Sequence, residues 1–206
     1  MLKQLGIVKN KQGKCAQVFE KCFPDALTYA YKSPSQYIKR MWKIYDSCPD
    51  TNNNINGKIF EYLIAMVCIR EKILPIFLEA KVAFVPNVKY DGLFYSEQLG
   101  PICMSLKTSL RERYKQADLE AIALKYVHRR ALCYLITMDH VEARRVKDKI
   151  NCGDVIGLNE VIVATDSEFD DFITEMKSYT LISPGPVDVL ESQCLVTAQK
   201  VSSFLK

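Results

Sequence analysis

The chemical potential of this 206-residue sequence is concentrated in Asp91, Lys107 and the charged residues after the lysine: Arg111, Glu112, Arg113, Asp118 and Glu120. Ser105-Leu106-Lys107 closes an apolar segment of strand character, so Ser105 and Lys107 point to the same face. Asp91 lies in the strand-like segment before it, and pairing the two segments brings a carboxylate and an ammonium together at a strand edge. Hydrolysis of a phosphodiester needs hard oxygen ligands for magnesium and a cation near the attacking water or the developing negative charge. Asp91 and Lys107 supply one of each. A second carboxylate is then required for the metal, and the following helix offers Asp118 and Glu120. Glu120 shares a helical face with Arg113, Gln116 and Leu124.

The elements that carry these residues follow from periodicity and turn chemistry. Tyr90 to Tyr95 and Ile102 to Lys107 read as antiparallel strands joined by the turn Ser96 to Pro101. A helix is expected over Leu110 to His128, then a strand over Ala131 to Met138, a charged helix from His140, a strand over Val161 to Ala164 and a helix over Glu168 to Lys177. Upstream, Ser33-Pro34-Ser35 starts a helix with Tyr37, Ile38, Met41, Trp42 and Tyr45 at helical spacing. Asp50 to Asn54 reads as a loop, and Ile55 to Lys72 as a buried helix with Glu61 set in apolar surroundings. After Pro75 a short helical piece and a strand Val82 to Val85 are expected, and Pro184 to Pro186 is a loop before a last helix over Val187 to Phe204. Strands alternating with helices after an initial hairpin make the fold α/β. The whole, 1–206, is expected to be one domain: a helical N-terminal lead-in over 1–50, a core over 55–180, and a C-terminal loop and helix over 181–206.

Composition excludes several classes. Nearly half the residues are apolar, enough for a full core. The longest apolar run, Tyr62 to Ile69, is too short to span a bilayer, and no signal-peptide core is present, so a cytoplasmic protein without a membrane partner is expected. The eight cysteines show no Cys-x-x-Cys pair and are read as reduced thiols; with only His128 and His140 as histidines, a zinc site is not expected. Residues 1–104 carry 14 basic and 9 acidic side chains, 105–150 carry 11 and 6, and 151–206 carry 3 and 9, so a polyanion is expected to meet the first three quarters.

The run Lys107-Thr108-Ser109-Leu110-Arg111-Glu112-Arg113-Tyr114-Lys115-Gln116, with Glu120 twelve intervening residues beyond Lys107, resembles the PD-(D/E)XK nuclease superfamily. More narrowly it is similar to the branch of type II restriction endonucleases that read CC/GG-containing sites and carry a swapped active-site carboxylate. There the acid two residues before the lysine, here Ser105, is replaced by one on the next helix. The resemblance implies a mixed central sheet flanked by helices, with Asp91 and Glu120 binding Mg2+. Lys107 would position the water and stabilise the transition state, and Glu61, in Gly57-Lys58-Ile59-Phe60-Glu61, would add a further acidic group. It also implies that Arg111, Glu112 and Arg113, with Gln116 beside them, contact DNA. That suits C·G pairs, since Arg pairs bidentately with guanine and Glu accepts from cytosine N4. The expected activity is site-specific hydrolysis of double-stranded DNA leaving 5′-phosphates, by a homodimer matched to a two-fold site, with a companion methyltransferase protecting that site. The resemblance covers Gly57 to Ala121 and is strongest from Ser105 to Glu120. Ser109 and Tyr114 depart from it, and the Asp91–Lys107 interval is short.

Plainer readings exist for each residue. Asp91-Gly92 is a common turn pair, Asp118 competes with Glu120, and Glu61 would also sit there paired with a lysine or arginine. Arg111 and Arg113 would serve equally as a solvated face or as phosphate clamps. Arg129-Arg130 and Arg144-Arg145 read as surface charges, Trp42 as core, and the two histidines as non-catalytic. A sequence-nonspecific repair or recombination nuclease of the same superfamily, or a non-catalytic DNA-binding protein, is the alternative function.

Overall fold

The computed structural model describes residues 1–9, 13–48 and 52–185. Its elements run α1 (Lys14–Cys22), α2 (Pro34–Asp46), α3 (Asn53–Arg70), β1 (Phe77–Ala80), β2 (Tyr90–Ser96), β3 (Gly100–Lys107), α4 (Arg113–Val127), β4 (Leu132–Thr137), α5 (His140–Asn151), β5 (Glu160–Val163) and α6 (Ser167–Lys177). Among the described residues the strands form one mixed sheet in the order β1-β2-β3-β4-β5, antiparallel through β1, β2 and β3 and parallel from β3 to β5. The α/β fold with helices on a mixed sheet is thus as expected, as is the β2–β3 hairpin.

Alternation along β2 and β3 divides the sheet between two apolar layers. Phe94, Ile102, Met104 and Leu106 pack with α1, α2, α3 and α6 on one face. Leu93 and Cys103 pack with Cys133, Leu135 and the buried stripe of α4 and α5 on the other. The all-round apolarity of α3 reflects its place inside the first layer, where Ile59, Phe60, Leu63 and Met66 are fully covered. Ser33 caps α2 by accepting from the Gln36 N–H, with Pro34 in the first turn. Ser35 ties the start of α2 to α6 through two hydrogen bonds to Asp170, of 2.7 and 2.8 Å. The N-terminal helices are therefore part of the main core.

Several local expectations are corrected. The segment after Pro75 is not helical: Phe77–Ala80 is β1, which pairs with β2 through Phe77↔Leu93 and Leu78↔Gly92. Val82 to Val85 is a turn region, not a strand; Phe84 and Asn87 have φ of 65° and 60°, and Pro86 between them lacks a ladder donor. Asn53 and Asn54 belong to α3, which begins where Asn52 Oδ1 accepts from the Ile55 N–H at 3.0 Å, so the expected loop is shorter. Cys22 and Cys48 are joined in a disulfide, whereas all cysteines were expected reduced; the ends of α1 and α2 converge beside α3 and bring their Cα atoms to 6.6 Å. The expected helix Val187 to Phe204 lies outside the described residues.

Candidate nuclease site

Asp91, second residue of β2, sits one step beyond the Gly92↔Met104 pair, opposite Ser105. Its Oδ2 accepts from the Leu106 N–H at 2.8 Å and from Lys107 Nζ at 2.6 Å. Both side chains keep about a fifth of their surface open, 21% for Asp91 and 19% for Lys107. Lys107 is the last residue of β3, where the ladder ends and the chain turns toward α4. The hairpin thus brings together the carboxylate and ammonium expected from the sequence. Asp91 Oδ1 has no hydrogen-bond partner among the described residues.

Glu120 lies on α4, over the face of the sheet that carries Asp91, Ser105 and Lys107. Its carboxyl accepts from Gln116 Nε2 at 2.7 Å, one helical turn back. Burial pushes its pKa up; the Gln116 bond and Lys107 work against that rise, and Asp91 adds to it. Glu61, on α3, feels the same pair: burial raises its pKa, the hydrogen bond from Lys58 opposes this, and Asp91 and Lys107 act in opposite senses. Glu61, Asp91, Lys107 and Glu120 therefore share one electrostatic neighbourhood. Glu61 is also paired with Lys58 at 2.6 Å, as its plainer reading anticipated, and Lys58 reaches on to Glu79 at 2.7 Å.

Asp118, the competing acid, has a different task. Its Oδ1 accepts from the N–H groups of Gly157 and Leu158 at 2.6 and 3.1 Å, in a buried contact that fixes the loop before β5 to α4. Periodicity alone would not show this, because the partner lies 39 residues away.

Arg111, Glu112 and Arg113 are all exposed at the turn into α4. Arg111 has a φ of 40°, a backbone conformation that L residues adopt only at a cost. Buried Leu110 anchors the turn, and Arg113 N–H donates to the Leu110 carbonyl at 2.6 Å. Glu112 pairs with Lys115. Gln116, expected at DNA, is committed to Glu120 in this structure.

Tyr90, which sequence reasoning did not single out, adjoins the candidate site. Its hydroxyl donates to the main-chain carbonyl of Glu120 at 3.0 Å, bracing the strand of Asp91 against the helix of Glu120. Its adjacency to Asp91 was the sole signal available. The histidines stand apart: His140 pairs with Asp166 at 3.2 Å, and His128 follows the end of α4.

The donor set fits a hard divalent cation. Among the described residues no group of three or more His, Cys, Asp or Glu side chains forms a protein-only cage. Magnesium is usually held by one or two carboxylates together with waters and substrate phosphate. Asp91 and Glu120, charge-compensated only in part by Lys107, match that pattern.

The raised pKa of Glu120 has a measurable consequence. A carboxyl whose pKa lies above the ordinary Glu value holds its proton at a higher pH, so a cation must displace that proton sooner as the solution is acidified. If Glu120 holds a divalent cation, the apparent affinity for that cation should weaken at a higher pH than the titration of a free glutamate would dictate. A cation affinity with the pH dependence of a free glutamate would show that Glu120 does not hold the cation.

No protein-family model and no curated protein sequence matches the chain. Its structure is similar to that of the restriction endonuclease PspGI, solved in complex with substrate DNA, with a TM-score of 0.56 and 16% identity over 86% of this chain and 88% of that one. The likeness establishes a restriction-endonuclease-like fold. No helix among the described residues is long and apolar enough to cross a membrane.

Proposed function

We propose that the chain is a type II restriction endonuclease that hydrolyses double-stranded DNA at a CC/GG-containing site with Mg2+ as cofactor, leaving 5′-phosphates. The observation that carries this reading is the Asp91–Lys107 contact of 2.6 Å at the end of β3, with Glu120 on the next helix near enough to feel both charges. The fold neighbour is bound to substrate DNA, which supports a DNA duplex as partner.

Asp91 and Glu120 would hold the cation, which when bound supplies Lewis-acid polarisation of the phosphate and neutralises charge. Lys107 orients the attacking water by a hydrogen bond and sets its ammonium against the negative charge that builds on the phosphoryl oxygens. A P–O bond forms to the water oxygen as the bond to O3′ breaks, so the phosphate stays on the 5′ end. Glu61 adds negative charge beside this centre, and Tyr90 holds the two carboxylate-bearing elements in register. A homodimer on a two-fold site, a methyltransferase of the same specificity and a cytoplasmic location follow from this function.

The direct test is digestion of a phage genome in Mg2+ or in chelator by the protein and by Asp91→Asn. Cleavage confined to the unaltered protein in Mg2+ is expected; intact DNA throughout would sink the enzymatic reading and favour a binding protein.

Exposed Arg111 and Arg113 are placed within four and six residues of Lys107, close enough for reading and cutting to occur within one short site. Replacing either by Ala should relax discrimination at one base-pair position by about 10- to 100-fold, corresponding to about 1–3 kcal/mol per bidentate contact. The check is relative cleavage of single-base variants of the site. An equal loss on every variant would make these arginines phosphate clamps and favour the nonspecific nuclease.

A further inference from the structure

Ser105 occupies the strand position from which the proposed swapped arrangement has moved its acid, and its hydroxyl is stranded. The residue is 8% exposed, and its Oγ has no hydrogen-bond partner. Among the described residues, only His128 Nε2 shares that condition, at the far end of α4. Folded proteins satisfy nearly all buried hydroxyls, so an orphan one calls for a partner from outside the chain.

The surroundings of Ser105 explain why no other residue pairs with it. Its neighbour on β4 is Leu135, which has no polar side chain. On β2 it faces Asp91, whose Oδ2 is already shared by the Leu106 N–H and Lys107 Nζ. Lys107 lies two residues on, on the same face. The Ser105 hydroxyl, itself covered, and Oδ1 of Asp91 thus lie on one side of the sheet, the side covered by the helix of Glu120.

We infer that Ser105 is a positioning residue for the cation: its hydroxyl accepts from a water on the metal and donates to the adjoining carboxylate. The inference rests on the proposed metal-dependent reading of this site and deepens it. A serine hydroxyl is a weak direct ligand for magnesium, which parts reluctantly with its waters, and a role through such a water suits both. Side chains that orient the ligands of a metal in this way commonly change its affinity by 10- to 100-fold.

The opposite signs expected for folding and metal binding make the test selective. No other residue pairs with the Ser105 hydroxyl, so Ser105→Ala, which removes no hydrogen bond within the chain, should unfold at the same temperature as the parent or a higher one. The same variant should bind Mn2+ roughly tenfold more weakly by titration calorimetry on the full chain, while Ser105→Thr, which keeps a hydroxyl, should recover most of the affinity. Glu120→Gln serves as the control that removes a metal ligand. If the parent and Ser105→Ala bind Mn2+ alike while Glu120→Gln loses it, the inference about Ser105 is wrong and the metal-site reading survives. If parent and Glu120→Gln are indistinguishable, both fall.

Discussion

Lys107→Ala should cleave DNA roughly 10³-fold more slowly than the parent at saturating Mg2+, the scale of loss when a preorganised electrostatic group is removed from a developing charge. Its Nζ lies 2.6 Å from Asp91 on a side chain one-fifth open to solvent, and the proposed mechanism sets it against the attacking water and the phosphoryl oxygen. Folding should suffer far less. Asp91 keeps the Leu106 N–H and a fifth of its side chain open to water, which limits the cost of losing its partner. If Arg111 and Arg113 hold DNA as proposed, binding should persist in this variant. Lys107→Arg should recover little activity, since a planar guanidinium cannot replace a compact ammonium at a single contact point. Equal cleavage rates for Lys107→Ala and the parent would remove the lysine from the chemistry. A rate loss matched by loss of folded protein would reduce its role to structure.

Gly157→Ala should destabilise the protein by about 2–4 kcal/mol, measured by urea denaturation. A Cβ at this position would lie 2.4 Å from the Asp118 carbonyl oxygen and 2.8 Å from both the backbone N and Cγ1 of Ile122. Two of these are backbone atoms of α4, so rotamer change offers little relief and the helix must shift. That shift would also strain the bonds from Gly157 and Leu158 to Asp118 and displace Glu120, two residues along the same helix. A higher Mg2+ requirement should therefore accompany the lost stability. Asp118→Ala, which leaves two buried N–H groups without their acceptor, should lower stability in the same direction. A Gly157→Ala protein within about 0.5 kcal/mol of the parent would mean that the loop before β5 yields freely.

These contacts mark the limit of what the sequence discloses. The β2–β3 hairpin was legible because alternation and the Ser96–Pro101 turn agree, and that hairpin alone brings Asp91 to Lys107. Glu120 was favoured over Asp118 only through the spacing from Lys107 that the resemblance implies, because helical periodicity on α4 offers Asp118 just as readily. The structure separates the two acids through tertiary contact: Asp118 turns to Gly157, and Glu120 remains over the sheet face of Lys107. β1 was missed because four residues of mixed polarity carry no period, and their pairing to Leu93 and Gly92 is a tertiary fact. Tyr90 and the Cys22–Cys48 bridge were hidden for the same reason, their partners lying 30 and 26 residues away.

The most direct measurement of the central claim is sequencing of the DNA ends produced when the protein digests a phage genome of known sequence in Mg2+. Every end should carry a 5′-phosphate and fall at one short CC/GG-containing sequence, and no ends should form with Lys107→Ala. Ends scattered without a common sequence would contradict site-specific restriction.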